Sequence, residues 1–214
     1  MDRVALQIVE VAKRLNNKGM LASADGNISY RLSDEKILIT PSGLNKAFLT
    51  PEDMAVITID NRVLIGTPSG ERLMHLEVYK QCPKARCVVH AHPPCAIAWT
   101  IAKPNLKELP ADCLSEVILA VGSIPIIPYA RPGTVEMGTY LKPYLPSNRA
   151  MILARHGAIT WGEDLLEAYN GMERLEHSAL ILKHASDMGG LSRLPEGEVR
   201  ALKKMREKAG ERIL

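Results

Sequence analysis

Two histidines separated by a single residue are the clearest chemical feature of this sequence. They lie in the run Val88-Val89-His90-Ala91-His92, whose β-branched and apolar residues predict a buried strand. Alternate side chains of a strand face the same side of its sheet, so both imidazoles should point in one direction. Imidazole is a preferred zinc ligand, and catalytic zinc sites have three protein ligands and one open position. A third ligand is therefore required from elsewhere in the chain.

The best candidate for the third ligand is His156. It lies in Arg155-His156-Gly157-Ala158, where a predicted strand ends and glycine permits a sharp turn. A histidine pair on a strand is a weak signal by itself, because buried histidines also hydrogen-bond to carbonyl groups. The remaining histidines are interpreted as structural or surface residues, and they are His75, His177 and His184.

Segments that contain glycine and serine are candidates for holding an anion. They are Gly26-Asn27-Ile28-Ser29, Thr40-Pro41-Ser42-Gly43 and Pro68-Ser69-Gly70-Glu71. Each is predicted to be a turn in which backbone N–H and hydroxyl groups converge, although such turns are also common without a ligand. The third segment leads into a predicted helix, for which Ser69 is a candidate N-cap and whose N-terminus favours negative charge.

Glu71 is the last residue of the third of these segments, and two roles fit its position. An acidic residue at the start of a helix is commonly stabilised by the helix dipole. Alternatively, its carboxylate lies near the metal, where it is a ligand at rest and a proton shuttle once substrate displaces it.

The elements that must position these residues follow from hydrophobic spacing and turn signals. Apolar residues at helical spacing predict a first helix over residues 4–15, and β-branched runs between turn residues predict short strands. Asp60 and Asn61 predict a hairpin turn. The predicted strands cover residues 36–40, 55–59, 62–65, 86–91, 124–127 and 150–154, and the further predicted helices cover residues 73–79, 95–102, 133–141 and 165–188.

The alternation of strands and helices is typical of an α/β fold. Because a hairpin joins antiparallel strands, the sheet cannot be wholly parallel, and we expect a mixed, mainly antiparallel sheet between helix layers. The chain of 214 residues contains no internal repeat, low-complexity tract or linker. We therefore expect a single domain spanning residues 1–214.

Composition and charge exclude several classes of protein. Hydrophobic residues make up 46% of the chain and charged residues 24%, which indicates a globular protein with a large core. The net charge of +3 comes from interspersed charges, and the basic stretch at 203–208 is interpreted as a solvated helix face. No nucleic-acid partner is expected.

The cysteines and the apolar stretches predict a compartment. The four cysteines lack C-x-x-C spacing, which favours reduced, buried thiols. The N-terminal segment lacks the continuous apolar run of a signal peptide, and the most apolar stretch, 117–130, is interrupted by glycine and proline. We therefore expect a cytoplasmic protein with no membrane partner.

Taken together, these motifs resemble the class II aldolase/adducin family in their order and spacing. The matching segments are Gly26-Asn27-Ile28-Ser29, Thr40-Pro41-Ser42-Gly43, Ser69-Gly70-Glu71, His90-Ala91-His92-Pro93 and Arg155-His156-Gly157. The resemblance extends from the first helix to the end of the long helix near residue 188. It implies a three-layer αβα sandwich with a central, largely antiparallel sheet, usually assembled as a homotetramer with active sites at subunit interfaces.

The resemblance also implies a zinc ion held by His90, His92 and His156, with Glu71 as fourth ligand and catalytic acid/base. The residues implied to bind the phosphate of a small phosphorylated sugar are Gly26, Asn27, Ser42, Gly43, Ser69 and Gly70. The implied reaction is reversible retro-aldol cleavage of a ketose 1-phosphate, such as L-fuculose 1-phosphate, to dihydroxyacetone phosphate and a short aldehyde. Zinc would stabilise the negative charge that develops on the former carbonyl oxygen.

Two features depart from the fuculose-phosphate-cleaving members of the family. Those members use a tyrosine that precedes a Ser-Ile-Pro strand and another tyrosine in the C-terminal tail. Residues 110–115 of this chain contain no tyrosine, and none follows Tyr169. The metal and phosphate chemistry is therefore expected to be kept, whereas the aldehyde preference does not follow from the resemblance.

Other members of the family define the alternatives. A pentulose-phosphate 4-epimerase uses similar retro-aldol chemistry without releasing the fragments, and an enzyme acting on 5-deoxyribulose or methylthioribulose phosphate would fit the same residues. A non-catalytic adducin-like interaction domain would keep the fold but lose the metal ligands, and all four candidate ligands are present. We therefore expect a metal-dependent aldehyde-lyase.

Overall fold

The described residues form one eight-stranded sheet with helices on both of its faces. The computed structural model describes residues 2–210 and 212–213. In chain order the strands are β1 (Asn27–Arg31), β2 (Lys36–Ile39), β3 (Ala55–Thr58), β4 (Val63–Ile65), β5 (Cys87–Ala91), β6 (Ile126–Ile127), β7 (Ala150–Leu153) and β8 (Gly157–Gly162). In space they follow the order β4-β3-β2-β1-β5-β8-β7-β6, and the pairing is antiparallel except between β6 and β7.

The helices cover the sheet in two layers. They are α1 (Asp2–Asn17), α2 (Arg72–Gln81), α3 (Pro94–Ala102), α4 (Ser115–Ala120), α5 (Glu136–Thr139), α6 (Leu165–Asp187) and α7 (Glu196–Lys208). Buried side chains of α1, α3, α4 and α6 belong to one hydrophobic core, whereas those of α2 and α5 belong to the other. The sheet therefore separates two cores.

Successive residues of the central strands belong alternately to these two cores. In β5, Cys87 and Val89 pack into the core of α1, α3 and α6, whereas Val88 packs into the core of α2. In β2, Leu38 and Ile37 divide in the same way. Because both faces are covered, these strands are nearly continuous hydrophobic runs. The predicted αβα sandwich with a mixed, mainly antiparallel sheet is confirmed.

Strand β5 lies between β1 and β8, and this position sets the surroundings of the histidine pair. Across the sheet, His90 is opposite Asn27 on one side and opposite Ile159 on the other. The first helix, the Asp60–Asn61 hairpin and the long helix all form close to their predicted positions.

Some local predictions are wrong. The segment that starts at Gly26 is not a turn, because Asn27 already begins β1, which is paired on both sides. Ser69 is not the N-cap of α2: Glu71 occupies that position, and the Ser69 hydroxyl instead accepts a hydrogen bond from the Glu71 N–H. In the predicted helix at 133–141, only Glu136–Thr139 is α-helical. The strand β8 was not predicted.

The state of the cysteines and the exposure of the basic stretch at 203–208 agree with the predictions from the sequence. The cysteines are free thiols, of which Cys82, Cys87 and Cys95 are buried and Cys113 is partly exposed. The basic stretch at 203–208 lies in α7, which buries Leu202 and exposes most of its charged residues. No helix of the described chain has the length and apolar character needed to span a bilayer.

Candidate metal centre and substrate site

Three histidine side chains converge at one end of the central strands. They are His90 and His92, from β5 and the residues just after it, and His156, from the turn between β7 and β8. One ring nitrogen from each lies within 4.8 Å of those of the other two. Each pair of ring centroids is separated by 5.0 Å. The structure thus brings together the three histidines that the sequence singled out.

The turn that carries His156 depends on two unusual backbone positions. Arg155 has φ 60°, the left-handed region, and Gly157 pairs with Leu153 to close the hairpin. A Cβ atom on Gly157 would lie 2.5 Å from the Ala91 carbonyl oxygen and 2.8 Å from Cε1 of His90. Only glycine allows the turn to approach β5 this closely.

Hydrogen bonds orient two of the imidazoles toward a common point. His90 Nδ1 lies 2.8 Å from the carbonyl oxygen of Ala158, and His92 Nδ1 lies 3.2 Å from a carboxylate oxygen of Asp25. Both Nδ1 atoms must carry the hydrogen, because their partners only accept. The Nε2 lone pairs of His90 and His92 are therefore free for ligation, and these two atoms lie 3.1 Å apart.

Glu71 adds a carboxylate to the same point. Its oxygens lie 3.2 Å from Nε2 of His90 and 3.0 Å from Nε2 of His156. Burial alone would raise the pKa of Glu71. When protons rather than a metal ion lie among these side chains, hydrogen bonds and positive charge from His156 and His90 outweigh burial and hold the pKa far below its usual range. Burial, with the charge of His90, lowers the pKa of His92, so its imidazole is neutral at pH 7.

This donor set fits a metal cation. In a tetrahedral zinc site with bonds of about 2.1 Å, ligand atoms lie about 3.4 Å apart. The separations between Nε2 of His90 and Nε2 of His92, and between each of His90 and His156 Nε2 and a Glu71 oxygen, are 3.0 to 3.2 Å, close to that value. Moreover, the lone pairs of His90 and His92 and a Glu71 oxygen face one another as acceptors, which is unfavourable unless a cation or a proton lies among them. These residues could therefore hold a divalent metal ion.

The two serine-containing loops lie side by side next to this centre. The Ser42 N–H donates to the Thr67 carbonyl at 3.0 Å, and the Ser69 N–H donates to the Thr40 carbonyl at 3.2 Å. Those two backbone donors are therefore used within the protein. Gly43, with φ +74°, and Gly70 are exposed, and the Ser69 hydroxyl is bonded to the backbone of Glu71. The loop that contains Ser69 and Gly70 is thus continuous with Glu71 of the candidate metal centre.

Gly26 and Asn27 have structural partners at the centre. A Cβ atom on Gly26 would lie 2.8 Å from the carbonyl oxygen of His90, and its φ is +70°. The Asn27 amide nitrogen donates to Glu71 at 2.8 Å, and its oxygen lies 2.5 Å from Nε2 of His75. Their predicted contact with a substrate phosphate stays a prediction.

Sequence reasoning missed three residues near the centre. Asp25 fixes the orientation of His92, yet an acidic residue before glycine is a common turn residue. Lys46 is 2% exposed and donates to the carbonyl oxygens of Ala24 and Leu44 at 2.9 and 2.7 Å. Its position just after the Ser42-Gly43 turn was the available signal. The third residue is His75, which is fully buried and hydrogen-bonded to Asn27. His177 and His184 are exposed, as expected.

The chain is similar to a known protein family and to named enzymes. The Class II Aldolase and Adducin N-terminal domain model matches residues 6–182. The 3-oxo-tetronate 4-phosphate decarboxylase of Escherichia coli K12 is 32% identical over 82% of this chain and 84% of its own length. The 5-deoxy-D-ribulose 1-phosphate aldolase of Bacillus thuringiensis serovar kurstaki is 32% identical over 96% of both chains.

A solved structure gives the same result. The crystal structure of L-fuculose-1-phosphate aldolase from Thermus thermophilus has a TM-score of 0.78, with 32% identity over 91% of this chain and 100% of that chain. The relatives are enzymes, and the predictions of the family and of an enzyme with lyase activity are confirmed. The family model covers most of the chain, including the candidate metal ligands, and the chain belongs to the class II aldolase and adducin N-terminal domain family.

Proposed function

We propose that the protein is a zinc-dependent aldolase that reversibly cleaves a ketose 1-phosphate to dihydroxyacetone phosphate and a short aldehyde. The observation that carries the proposal is the convergence of three histidine nitrogens and the Glu71 carboxylate beside two serine-containing loops. A divalent cation bound there would act as a Lewis acid and stabilise negative charge on the carbonyl oxygen of the substrate. His90, His92 and His156 would hold it as neutral ligands, with Glu71 as the fourth ligand.

Glu71 is suited to move a proton within this site. Its low pKa keeps the carboxylate ionised at neutral pH, and it begins α2 at the edge of the cluster. In the condensation direction the ionised carboxylate would accept a proton from the reacting carbon, and in the cleavage direction the carboxyl group, once protonated, would return it. Replacement by glutamine removes this capacity with little change in shape.

The loops would anchor the other end of the substrate. Ser42 and Ser69 offer their hydroxyl groups as donors, and Gly43 and Gly70 offer their backbone N–H groups. Asn27 has a second N–H on the amide nitrogen that donates to Glu71. Gly26 would contribute by allowing the close approach of this segment to β5. Binding energy from the phosphate then orients the reacting carbon against the metal and Glu71.

The wall beside His156 favours a substrate whose far end is apolar. The residues that line a small cavity next to His156 include Met74, Ile127, Met137 and Tyr140. An apolar lining accommodates a methyl group better than a string of hydroxyls, which would lose hydrogen bonds to water. Together with the Bacillus relative, this lining supports 5-deoxyribulose 1-phosphate as a candidate substrate.

Decarboxylation of a phosphorylated 3-oxo acid is a second candidate. The similarity to the Escherichia coli decarboxylase favours it. Loss of carbon dioxide from a 3-oxo acid and retro-aldol cleavage both leave negative charge on a carbonyl oxygen, so the same metal centre would serve both. The two reactions differ in the fragment that leaves.

The test is product analysis with the metal-loaded protein. Ketose 1-phosphates, including L-fuculose 1-phosphate and 5-deoxyribulose 1-phosphate, would be supplied, and dihydroxyacetone phosphate would be detected by a coupled reduction. A phosphorylated 3-oxo acid would be assayed for carbon dioxide release, and sugar stereoisomers for epimerisation. We expect dihydroxyacetone phosphate, and kcat should fall about 100-fold or more for Glu71→Gln. Dihydroxyacetone phosphate also remains when a four-carbon 3-oxo acid 4-phosphate loses carbon dioxide, so the substrate that yields it decides. Carbon dioxide from the 3-oxo acid, or a stereoisomer, with no dihydroxyacetone phosphate from any ketose 1-phosphate would reject the aldolase.

The metal is tested separately. Protein purified without added metal would be analysed for bound metal, stripped with a chelator, and assayed after return of zinc, cobalt or manganese. We expect activity to disappear on chelation and to return with zinc. Full activity in a metal-free sample would contradict the proposal.

We propose a homotetramer with active sites at subunit interfaces, as in the family pattern. Exposed apolar residues support an interface: Val63, Leu64 and Ile65 form the edge strand β4, and Phe48 is 80% exposed. An apolar sheet edge tends to be covered by another chain. Light scattering coupled to gel filtration would show four times the monomer mass, and a monomer would refute this part.

A further inference from the structure

A line of buried polar side chains runs from Glu71 into the core. Asn27 and Ser29 come from β1, and His75 and Tyr79 come from α2. None of these four is more than 3% exposed. Nδ1 of His75 lies 2.7 Å from the Ser29 hydroxyl, and that hydroxyl lies 2.8 Å from the Tyr79 hydroxyl. The line lies beside the histidine cluster and contributes no ligand to it.

The direction of every hydrogen bond in this line follows from the carboxylate. An ionised Glu71 can only accept, so the Asn27 atom beside it must be the amide nitrogen. The Asn27 oxygen therefore faces His75, and Nε2 of His75 must carry the hydrogen. Burial lowers the pKa of His75 to about 3, so the ring is neutral at pH 7 and Nδ1 accepts the hydrogen of Ser29. The Ser29 oxygen in turn accepts from the Tyr79 hydroxyl.

The far end of the line is also fixed. The Arg31 guanidinium donates to the carbonyl oxygen of Tyr79 and lies 4.9 Å from the centre of its ring. The side chains of Asn27, Ser29, His75 and Tyr79 all have hydrogen-bond partners. Rearranging any of them would leave a buried group without a partner, so this part of the line is rigid. The orientation of the Asn27 amide is thus determined from within the protein, not by the substrate.

We propose that His75 is a positioning residue of the metal centre, whose Nε2–H locks the Asn27 amide so that its nitrogen holds the Glu71 carboxylate against the histidine cluster. The role of the centre as a metal site rests on the proposed function. Without the donor on His75, the Asn27 amide could turn and present its oxygen to the carboxylate. Two acceptors would then face each other, and Glu71 would leave its position.

Two substitutions separate this role from simple packing. His75→Leu fills the space but removes the donor, whereas His75→Gln places an amide N–H near the position of Nε2. Partners that orient metal ligands are worth about 10- to 100-fold in metal affinity. We expect His75→Leu to weaken zinc binding about tenfold and His75→Gln to weaken it less than about threefold, which is well below that range. Competition with a chelator of known zinc affinity gives these values, and thermal unfolding checks the fold.

The visible spectrum of the cobalt-substituted protein is a second readout. The absorption of cobalt reports the number and type of its ligands, so a displaced Glu71 should alter the bands in His75→Leu and leave them unchanged in His75→Gln. The matched control is His177→Leu, which removes an exposed imidazole of α6. Wild-type affinity and spectrum in His75→Leu would overturn the proposal, as would equal losses in His75→Leu and His75→Gln.

A measurement on the unaltered protein keeps the proposal testable even if a variant does not fold or no metal binds. Nitrogen-15 NMR of the metal-free protein distinguishes the two neutral tautomers of His75. We expect hydrogen on Nε2 and a lone pair on Nδ1 at neutral pH. Hydrogen on Nδ1 would overturn the positioning role whatever the metal result. A protein that binds no metal but shows the Nε2–H tautomer would instead reject the proposed function and leave the orientation of Asn27 established.

Discussion

At the scale of single residues, the partner of one ring nitrogen decides what the other nitrogen can do. His90 and His92 each direct Nδ1 to an acceptor, the carbonyl of Ala158 and the carboxylate of Asp25. Each imidazole is thereby held in the tautomer and rotation that a metal ligand requires. The carboxylate beside His92 also increases the basicity of its Nε2, so we expect Asp25 to raise metal affinity without being a ligand.

Asp25→Asn tests this contribution. The amide keeps the shape of the side chain but removes its charge, and we expect zinc affinity to fall about 10- to 100-fold. Competition titration with a chelator measures the change. The control is Asp34→Asn, since Asp34 is exposed between β1 and β2. Equal affinities of Asp25→Asn and the wild-type protein would show that Asp25 does not support the ligand.

At the scale of the elements, the metal centre depends on how closely the β7–β8 turn approaches β5. The turn brings His156 to the pair on β5, and the contact leaves no room for a side chain at Gly157. Helix α3 begins directly after this strand, and its first N–H groups at Cys95 and Ala96 both donate to Glu176 of α6 at 2.9 Å. The segment after β5 therefore lies between two contacts, the β7–β8 turn at the end of β5 and the Glu176 carboxylate at the start of α3.

Gly157→Ala tests the close approach. The added methyl group would meet the backbone of Ala91 and the ring of His90, and we expect a loss of about 1–3 kcal/mol in the free energy of unfolding. Metal affinity should fall as well, because the clash separates His156 from β5. Urea unfolding measures the first effect. In Gly197→Ala the methyl group enters open space within α7, and we expect about 0.4–1 kcal/mol of stabilisation there.

At the scale of the whole molecule, a buried ion network fastens the end of the described chain to the sheet. Glu167 of α6 is 3% exposed and accepts hydrogen bonds from Arg149, Arg212 and the backbone N–H of Ile213 at 2.8 to 3.1 Å. Arg149 directly precedes β7. One carboxylate therefore connects the long helix α6, the start of β7 and residues 212–213.

Glu167→Ala should destabilise the protein by about 3–5 kcal/mol, because it removes the buried carboxylate that Arg149 shares with Arg212 and the Ile213 N–H. Arg149 then keeps only the partly exposed Glu163 as a counter-charge. Equilibrium unfolding in urea gives this value. Glu196→Ala is the comparison, since the pair of Glu196 and Arg200 is exposed and should contribute at most about 1 kcal/mol. Similar losses in both variants would show that burial of the network has no special effect.

Elements that depend on residues close in sequence could be predicted, whereas those that depend on residues distant in sequence could not. The helix of residues 2–17 and the hairpin at Asp60–Asn61 depend on neighbouring residues, and both were predicted correctly. The segment at Gly26 was predicted as a turn because its glycine and serine are turn residues, yet pairing with β2 and β5 makes it a strand. Tertiary pairing outweighed local preference there.

The sequence by itself determined the family, the fold class and the choice of His90, His92 and His156 as candidate metal ligands, because these depend on residue types and their order along the chain. Only the tertiary structure decided the orientation of each side chain, the place of Asp25 behind His92 and the line from Glu71 through Asn27 to His75. These contacts join residues distant in sequence, and hydrogen-bond direction depends on distances and angles that arise when the chain folds.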